Sequence, residues 1–473
     1  LQHRGQDSAG ILSYDFQTKS YHQFKDLGHV NNVFNPKILE KLVGEMSLGH
    51  TRYSTVGSSN HKDIQPLVMG YPFGLGIVHN GNLVNFYQLR EKLKDSSKRH
   101  LFSNNDLEAI LNLFAEGILE QNSEELDFSI LSKAVEKVYE AALGGYSVLT
   151  TIADNGLLAY RDPNGIRPLV MGERELSSEE KKIKTINNQK SFCFASESNT
   201  FDFLGYKKIR DLKPGEVVFI DKAGKIHSKI LRLATASTPC MFEWIYFATP
   251  ESTLEEKNVY QARLMMGDAL GDLIKPMLER NDIAPDIIVP VPETSRVSAI
   301  ALSEKLSIPY RELLIKNRYI QRSFILNTQE SRARAVQLKL TPIKSALIGK
   351  KVLLVDDSIV RGTTSKRIIE MVREAGAKEV YIASACPPIR HPCYYGIDFP
   401  NPEELIAHGR SEDEIAKHLG ADKVIFMNIK KLQKSIGTSD LCMACLTGDY
   451  PVDISQAADF RTKRETDRGE EKI

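Results

Sequence analysis

Residues 352–365 read Val-Leu-Leu-Val-Asp-Asp-Ser-Ile-Val-Arg-Gly-Thr-Thr-Ser. Four apolar residues, Val352 to Val355, have the pattern of a fully buried strand, and two acids end it. A short loop, Ser358 to Thr364, then leads to a helix expected from Ser365. In open parallel sheets, ligands bind beyond the carboxyl ends of the strands. A small-residue loop that opens a helix aims backbone N–H groups at an anion, with the helix dipole behind them. Gly362 lets the backbone come close, and Thr363, Thr364 and Ser365 add hydroxyl donors. Asp356 and Asp357 suit sugar hydroxyls or a hydrated magnesium ion. The stretch therefore reads as a phosphate cradle beside a ribose site. It is not a Walker loop, because no Gly-Lys-Ser/Thr is present.

The surrounding chain repeats the same rhythm. DIIVPVP (286–292), KVLLVDD (351–357), EVYIASA (379–385) and KVIFMNI (423–429) are short Val- and Ile-rich runs. They alternate with helical segments such as TSKRIIEMVREAGA (364–377), which predicts βαβ units and a parallel sheet. Before residue 230 the punctuation differs. SLGHTRYSTVG (47–57) and GLGIVHNGNLVN (74–85) carry the Gly and Asn turns of a strand-rich region. NFYQLREKLK (85–94) and DLEAILNLFAEGILE (106–120) read as amphipathic helices, and DLKPGEVVFIDKAGKI (211–226) as strand, turn, strand. The charged run 177–190 reads as a surface hairpin loop. These changes predict domains over 1–230 and 231–455, and a charged tail over 456–473.

Composition bounds the function. The chain has 473 residues, 42% hydrophobic and 26% charged, with a net charge of +1. That balance gives no electrostatic reason to expect nucleic acid or an anionic membrane as partner. No run of eighteen apolar residues is present to span a bilayer. Six cysteines in this length argue for a reduced, cytoplasmic setting and against a disulfide scaffold.

The 352–365 stretch resembles the phosphoribosylpyrophosphate (PRPP) motif of the type I phosphoribosyltransferases. The resemblance implies that Asp356 and Asp357 contact the ribose hydroxyls, and that Ser358, Val360, Arg361, Gly362, Thr363 and Thr364 hold the 5-phosphate. Val289 to Ser295 matches a pyrophosphate loop, with Thr294 joining the two aspartates as a magnesium contact. Lys316 to Phe324 resembles a flexible catalytic loop, whose Lys316 and Arg318 would cover the leaving pyrophosphate.

The first half resembles the glutaminase domain of the N-terminal-nucleophile amidotransferases. The resemblance rests on LQHRGQDSAG (1–10), GHTRYST (49–55), HNG (79–81), NDLE (105–108) and RDPNGIRPL (161–169). It implies an α+β, αββα domain followed by an α/β domain with a mainly parallel sheet. Asn80 and Gly81 would form the oxyanion hole, and Arg4, Gly5, Arg52, Thr55 and Asp106 would bind glutamine.

Together the two signatures resemble the amidophosphoribosyltransferase family. The implied reaction takes glutamine, PRPP and water to phosphoribosylamine, glutamate and pyrophosphate, the first committed step of purine synthesis. It further implies magnesium, purine nucleotide inhibitors and a homodimer or homotetramer. Glucosamine-6-phosphate synthase shares the glutaminase fold but lacks the DDSIVRGTTS element. Two other classes stay open: a synthase running on free ammonia, and a non-catalytic PRPP sensor. Departures from the family pattern fall at Thr249, Glu251, Gln321, Asn105 and Leu107.

Cys442 and Cys445 form a C-x-x-C unit, a common metal spacing. A subgroup of the family holds a 4Fe-4S cluster with four cysteines, which the resemblance maps to Cys240, Cys393, Cys442 and Cys445. A structural zinc and unligated thiols are the alternatives. Cys193 and Cys386 read as core residues.

In the resembled domain, LQHRGQDSAG lies one strand and one helix inside, behind an N-terminal cysteine nucleophile. Leu1 supplies no such group. A polypeptide verified to start at Leu1 is therefore expected to hydrolyse no glutamine, and measurable release of glutamate by it would overturn that expectation.

Overall fold

The computed structural model describes residues 1–53, 60–182, 190–232, 237–316, 340–399, 401–457 and 461–463. The chain divides into two compact units. The first comprises Leu1–Cys240, Cys393–Pro400 and Tyr450–Ile473, and the second Met241–Pro392 and Asn401–Asp449.

The first unit is built from antiparallel sheets. Strands β1 (Ser8–Asp15), β2 (Ser20–Leu27) and β3 (Met46–Arg52) form one sheet in the order β2-β1-β3. Six more strands form the second: β4 (Leu67–Met69), β5 (Leu75–Leu83), β6 (Gly144–Ile152), β7 (Gly156–Arg161), and a hairpin of Glu216–Asp221 and Ile226–Ile230. Leu12 and Leu48 from the first sheet pack with Val78 from the second, so the two sheets meet face to face. Three helices follow β5: α1 (Phe86–Ser97), α2 (Asp106–Leu119) and α3 (Phe128–Ala141). Phe114 of α2 stacks at 6.4 Å on Tyr160 of β7, and Tyr139 of α3 meets the same ring edge-on at 6.2 Å. Helices thus cover the sheet face that the first sheet leaves open, as the αββα expectation requires.

The two expected helices form, but α2 is not amphipathic. Leu107, Ile110, Leu111 and Phe114 are buried as expected, and so are Asp106, Glu108 and Asn112 on other faces. Neighbouring elements enclose it on all sides. Its Gly117 lies where an added Cβ would sit 2.7 Å from the Ala134 Cα of α3. Residues 393–400 join this unit through specific contacts. Asn82 Nδ2 donates to the Tyr394 carbonyl at 3.0 Å, and Tyr395 packs beside Gly145. Of the expected 177–190 hairpin, Glu180–Lys182 form a short 3-10 turn, and residues 183–189 lie outside the described residues.

The second unit centres on a parallel sheet of β8 (Ile287–Pro290), β9 (Lys351–Asp356), β10 (Glu379–Ser384) and β11 (Lys423–Phe426), in that order. Val352, Leu353, Leu354 and Val355 are all fully buried. Both faces of the strand are covered, which is why the run is continuously apolar rather than alternating. Helix α4 (Val259–Glu279) precedes β8, α5 (Arg296–Leu306) follows it, and α6 (Thr363–Glu374) follows β9. Helix α6 starts at Thr363, before the expected Ser365, because Gly362 already turns the chain at φ 77°. Among the described residues, no helix is long and apolar enough to cross a membrane.

Replacing Gly117 with alanine tests the helix packing. Alanine gains about 1 kcal/mol of helix propensity, but its methyl would meet Ala134. We expect Gly117→Ala to lower unfolding stability by about 1–3 kcal/mol, measured by urea titration. An unchanged or higher midpoint would show that the helices do not touch there.

Candidate functional site

The first unit sets its described expected site residues in a ring of polar contacts. Asn80 lies on β5 opposite Ser147, and Gly81 opposite Tyr146. A Cβ on Gly81 would sit 2.2 Å from the Gly145 carbonyl oxygen, so only glycine fits this pairing. The Asn80 amide oxygen accepts from Arg167 Nε at 3.2 Å and Nη2 at 3.1 Å, while its Nδ2 donates to Ser196 Oγ at 3.1 Å. Ser196 adjoins Glu197, which is fully buried and takes Arg4 Nη1 at 2.6 Å and His3 Nε2 at 2.7 Å. Burial opposes its ionisation, but the His3 hydrogen bond and the Arg4 charge outweigh that and hold its carboxyl at about 2. Gly5 is buried against β3, with space for no side chain beside the Thr51 carbonyl.

The ring continues through the other expected residues. Arg52, at the end of β3, is buried and reaches Asp63 at 4.0 Å. Asp63 accepts the Asn104 backbone N–H at 2.9 Å, and its carbonyl takes Asn105 Nδ2 at 2.7 Å. Asn105 caps α2 by accepting the Leu107 N–H at 3.1 Å. Asn105, one of the departures from the family pattern, therefore does a capping job of its own. Asp106 accepts the Leu83 N–H at 2.8 Å and faces His79 Nε2 at 3.2 Å. Thr55 lies outside the described residues.

The second unit presents the expected aspartates at the end of β9. Asp356 is buried, and its carboxyl is pushed well above the usual range by burial and by the Asp357 charge. Asp357 rises to about 6 through burial, against the pull of the Ser358 hydroxyl, the Arg263 charge and the Thr294 hydroxyl. Ser358 Oγ donates to Asp357 at 2.7 Å. Arg263, on α4, is itself buried and donates to the Trp244 and Ala248 carbonyls at 2.9 and 2.8 Å. Gly362 approaches Ile406 so closely that a Cβ would lie 2.4 Å from its side chain. Thr363 and Thr364 are exposed at the first turn of α6. Val360 accepts the Ile406 N–H at 2.9 Å, and Arg361 Nε pairs with Glu404 at 2.6 Å. Lys316 is exposed at the end of Leu314–Lys316, paired antiparallel with Leu340–Pro342. Arg318 and Gln321 lie outside the described residues.

Sequence reading missed Glu197, Arg263 and Arg167. Glu197 and Arg263 come from positions remote in sequence from the residues they touch, and only the fold joins them. Arg167 stood inside the quoted RDPNGIRPL motif, without a contact to explain it.

Two family models match the chain. One for the glutamine amidotransferase domain covers residues 50–202, and one for the phosphoribosyl transferase domain covers residues 258–397. Among curated relatives, the amidophosphoribosyltransferase of Pseudomonas aeruginosa is 42% identical over 97% of this chain and 90% of its own length. The chain belongs to the amidophosphoribosyltransferase family. The amidophosphoribosyltransferase of Methanocaldococcus jannaschii is 39% identical over 96% of the chain and 93% of its own length. The solved glutamine PRPP amidotransferase of B. subtilis, complexed with ADP and GMP, superposes with a TM-score of 0.81 at 34% identity, covering 96% of this chain and 93% of that one. A second solved structure, described as the allosteric regulatory enzyme of purine biosynthesis, gives 0.82 at 35% identity, over 96% and 92% of the two chains.

The structure does not show an iron–sulfur cluster site on the four cysteines. Among the described residues, no group of three or more His, Cys, Asp or Glu is placed to hold a metal ion. Cys240 and Cys393 fall in the first unit, and Cys442 and Cys445 in the second. Burial pushes the Cys393 thiol up. Cys386 is fully buried as expected, and Cys193, on strand Lys190–Ala195, is only partly so. Asp356 and Asp357 fit magnesium better, as hard oxygen donors with an unrelieved charge penalty.

Two outcomes test these electrostatics. Glu197 has a lowered folded pKa, so its stabilisation is present above pH 4.3 and lost as pH falls through about 2. Glu197→Ala should cost about 3 kcal/mol at pH 7, with the gap to wild type closing in acid; a constant gap would contradict the pairing. Asp357 has a raised folded pKa, so its contribution is full below about pH 4 and lost as pH rises through about 6. Asp357→Asn should therefore raise the magnesium-free melting temperature at pH 8, and a fall would contradict the assigned charge penalty.

Proposed function

We propose that the chain transfers ammonia from glutamine to C1 of PRPP, giving 5-phosphoribosylamine, glutamate and pyrophosphate. The observation that carries this reading is the Asp356–Asp357 pair at the end of a buried strand, directly before the Thr363–Thr364 helix start. Family membership and the polar ring around Asn80 support the glutamine half.

In this reading, Thr363, Thr364 and the first N–H groups of α6 hold the 5-phosphate, beside Ser358, Val360, Arg361 and Gly362. Asp356 and Asp357 hold the ribose hydroxyls, and with Thr294 would hold magnesium. Magnesium, when bound, neutralises charge on the pyrophosphate leaving group. The protein's own groups orient C1 for attack, and Lys316 and Arg318 offset charge on the departing pyrophosphate. Ammonia's lone pair forms the C1–N bond as the C1–O bond breaks, and the nitrogen then loses a proton. In the first unit, the glutamine amide C–N bond breaks and water ends on the acyl carbon. Asn80 Nδ2 and the Gly81 N–H would stabilise the developing oxyanion, while Arg4, Gly5, Arg52, Thr55 and Asp106 hold the amino-acid end.

The same reading places the enzyme in the cytoplasm, in purine synthesis, as a homodimer or homotetramer that purine nucleotides inhibit. The ADP and GMP bound to the B. subtilis relative support that last part. An iron–sulfur cluster on Cys240, Cys393, Cys442 and Cys445 rests on C-x-x-C spacing and resemblance alone, and no step is routed through it.

Pyrophosphate release from PRPP with magnesium and ammonium chloride tests the transferase half; repeating it with glutamine tests the coupling. Release with ammonium, falling at least about 100-fold in Asp357→Asn, is expected. No release with either nitrogen source would leave only a PRPP-binding role.

A further inference from the structure

Arg167 belongs to a motif whose other members have evident structural jobs. Arg161 is fully buried and donates to three carbonyls, those of Arg167 at 2.7 Å, Leu212 at 2.7 Å and Gly165 at 2.6 Å. Asp162, also fully buried, gathers the N–H groups of Asn164 at 2.9 Å and Ile166 at 2.9 Å. Ser147, opposite Asn80 on the neighbouring strand, donates to the Arg167 carbonyl at 3.0 Å. The backbone of one residue is thus held from two sides, and its buried guanidinium grips Asn80 with two N–H groups.

We propose that Arg167, with Ser196, is a positioning residue that fixes the rotamer of the Asn80 amide so that Nδ2 faces the glutamine carbonyl. This rests on the glutamine reading of the site. The physical reason is chemical asymmetry. A guanidinium has five donors and no acceptor, so it tolerates only the amide oxygen of Asn80 on its side. A flipped amide would put N–H against N–H. Ser196 Oγ accepts one Nδ2 proton, which leaves the second for the reacting carbonyl. Donation from a cation to Oδ1 also polarises the amide and makes that remaining N–H a stronger donor. A catalytic amide that could swing would present an oxygen to an oxyanion half the time. The Arg167 clamp removes that state before substrate arrives.

The test uses the full chain, deuterated and labelled with 15N-asparagine. The Asn80 side-chain signals are assigned by their loss in Asn80→Asp. In the native chain they should be two distinct proton resonances, protected from exchange. In Arg167→Met they should move toward solvent-exposed amide positions and exchange at least tenfold faster, with Arg167→Lys between. Unchanged Asn80 signals in Arg167→Met would overturn the proposal. Calorimetry gives the second readout. Glutamine should bind at least tenfold more weakly to Arg167→Met, but Arg167→Met should add nothing in an Asn80→Ala background. An equal loss in that background would show that Arg167 acts by another route, and would also overturn it. If the native chain binds no glutamine while its Asn80 signals respond to Arg167, the glutamine reading fails and the positioning role stands. Should Arg167→Met not fold, judged by near-UV dichroism, Arg167→Lys carries both readouts.

Discussion

Two adjacent carboxylates at the end of a buried strand are costly to ionise together, and the second unit is organised around that cost. Asp356 and Asp357 sit where β9 leaves a fully apolar environment, and both are pushed above the normal carboxylate range. Arg263 relieves Asp357 only in part, since burial outweighs its charge. A cation or a set of sugar hydroxyls offers what the protein withholds. In the proposed reading, magnesium and a sugar phosphate would relieve that penalty when bound. The exposed hydroxyls of Thr363 and Thr364 stand six and seven positions beyond Asp357 in sequence, at the start of α6.

The polar ring around Asn80 follows the opposite strategy. Arg4 pairs with Glu197 and Arg52 lies 4.0 Å from Asp63, while Asp106 faces His79 Nε2 at 3.2 Å. Such a network holds its donors in fixed directions. Asn80 shows the same logic at a neutral group, since Arg167 and Ser196 leave its amide one orientation.

Much of this was legible from residue order because strong local rules applied. The apolar run 352–355, the paired acids and the Gly362 turn each have one comfortable structural solution, and they agree. The helix at 106–120 and its buried apolar face were legible, but the burial of Asp106, Glu108 and Asn112 was not, because their partners Leu83, Ser103 and Arg99 come from neighbouring segments. No local rule could join Arg4 to Glu197, or Arg263 to Asp357. Those pairs depend on strand register and helix placement. The C-x-x-C spacing of Cys442 and Cys445 is legible as a metal pattern, and among the described residues no group of three or more His, Cys, Asp or Glu is placed to hold a metal ion.

The most direct test of the central claim is a carboxyl titration. Selective 13C labelling of the aspartate side chains would follow Asp356 and Asp357 by NMR, first without magnesium and PRPP and then with both. The account predicts that, without ligand, both carboxyls titrate above the usual aspartate range, Asp357 near pH 6. With ligand, both should remain ionised down to a lower pH. Titration of both near pH 4, unaltered by ligand, would contradict it.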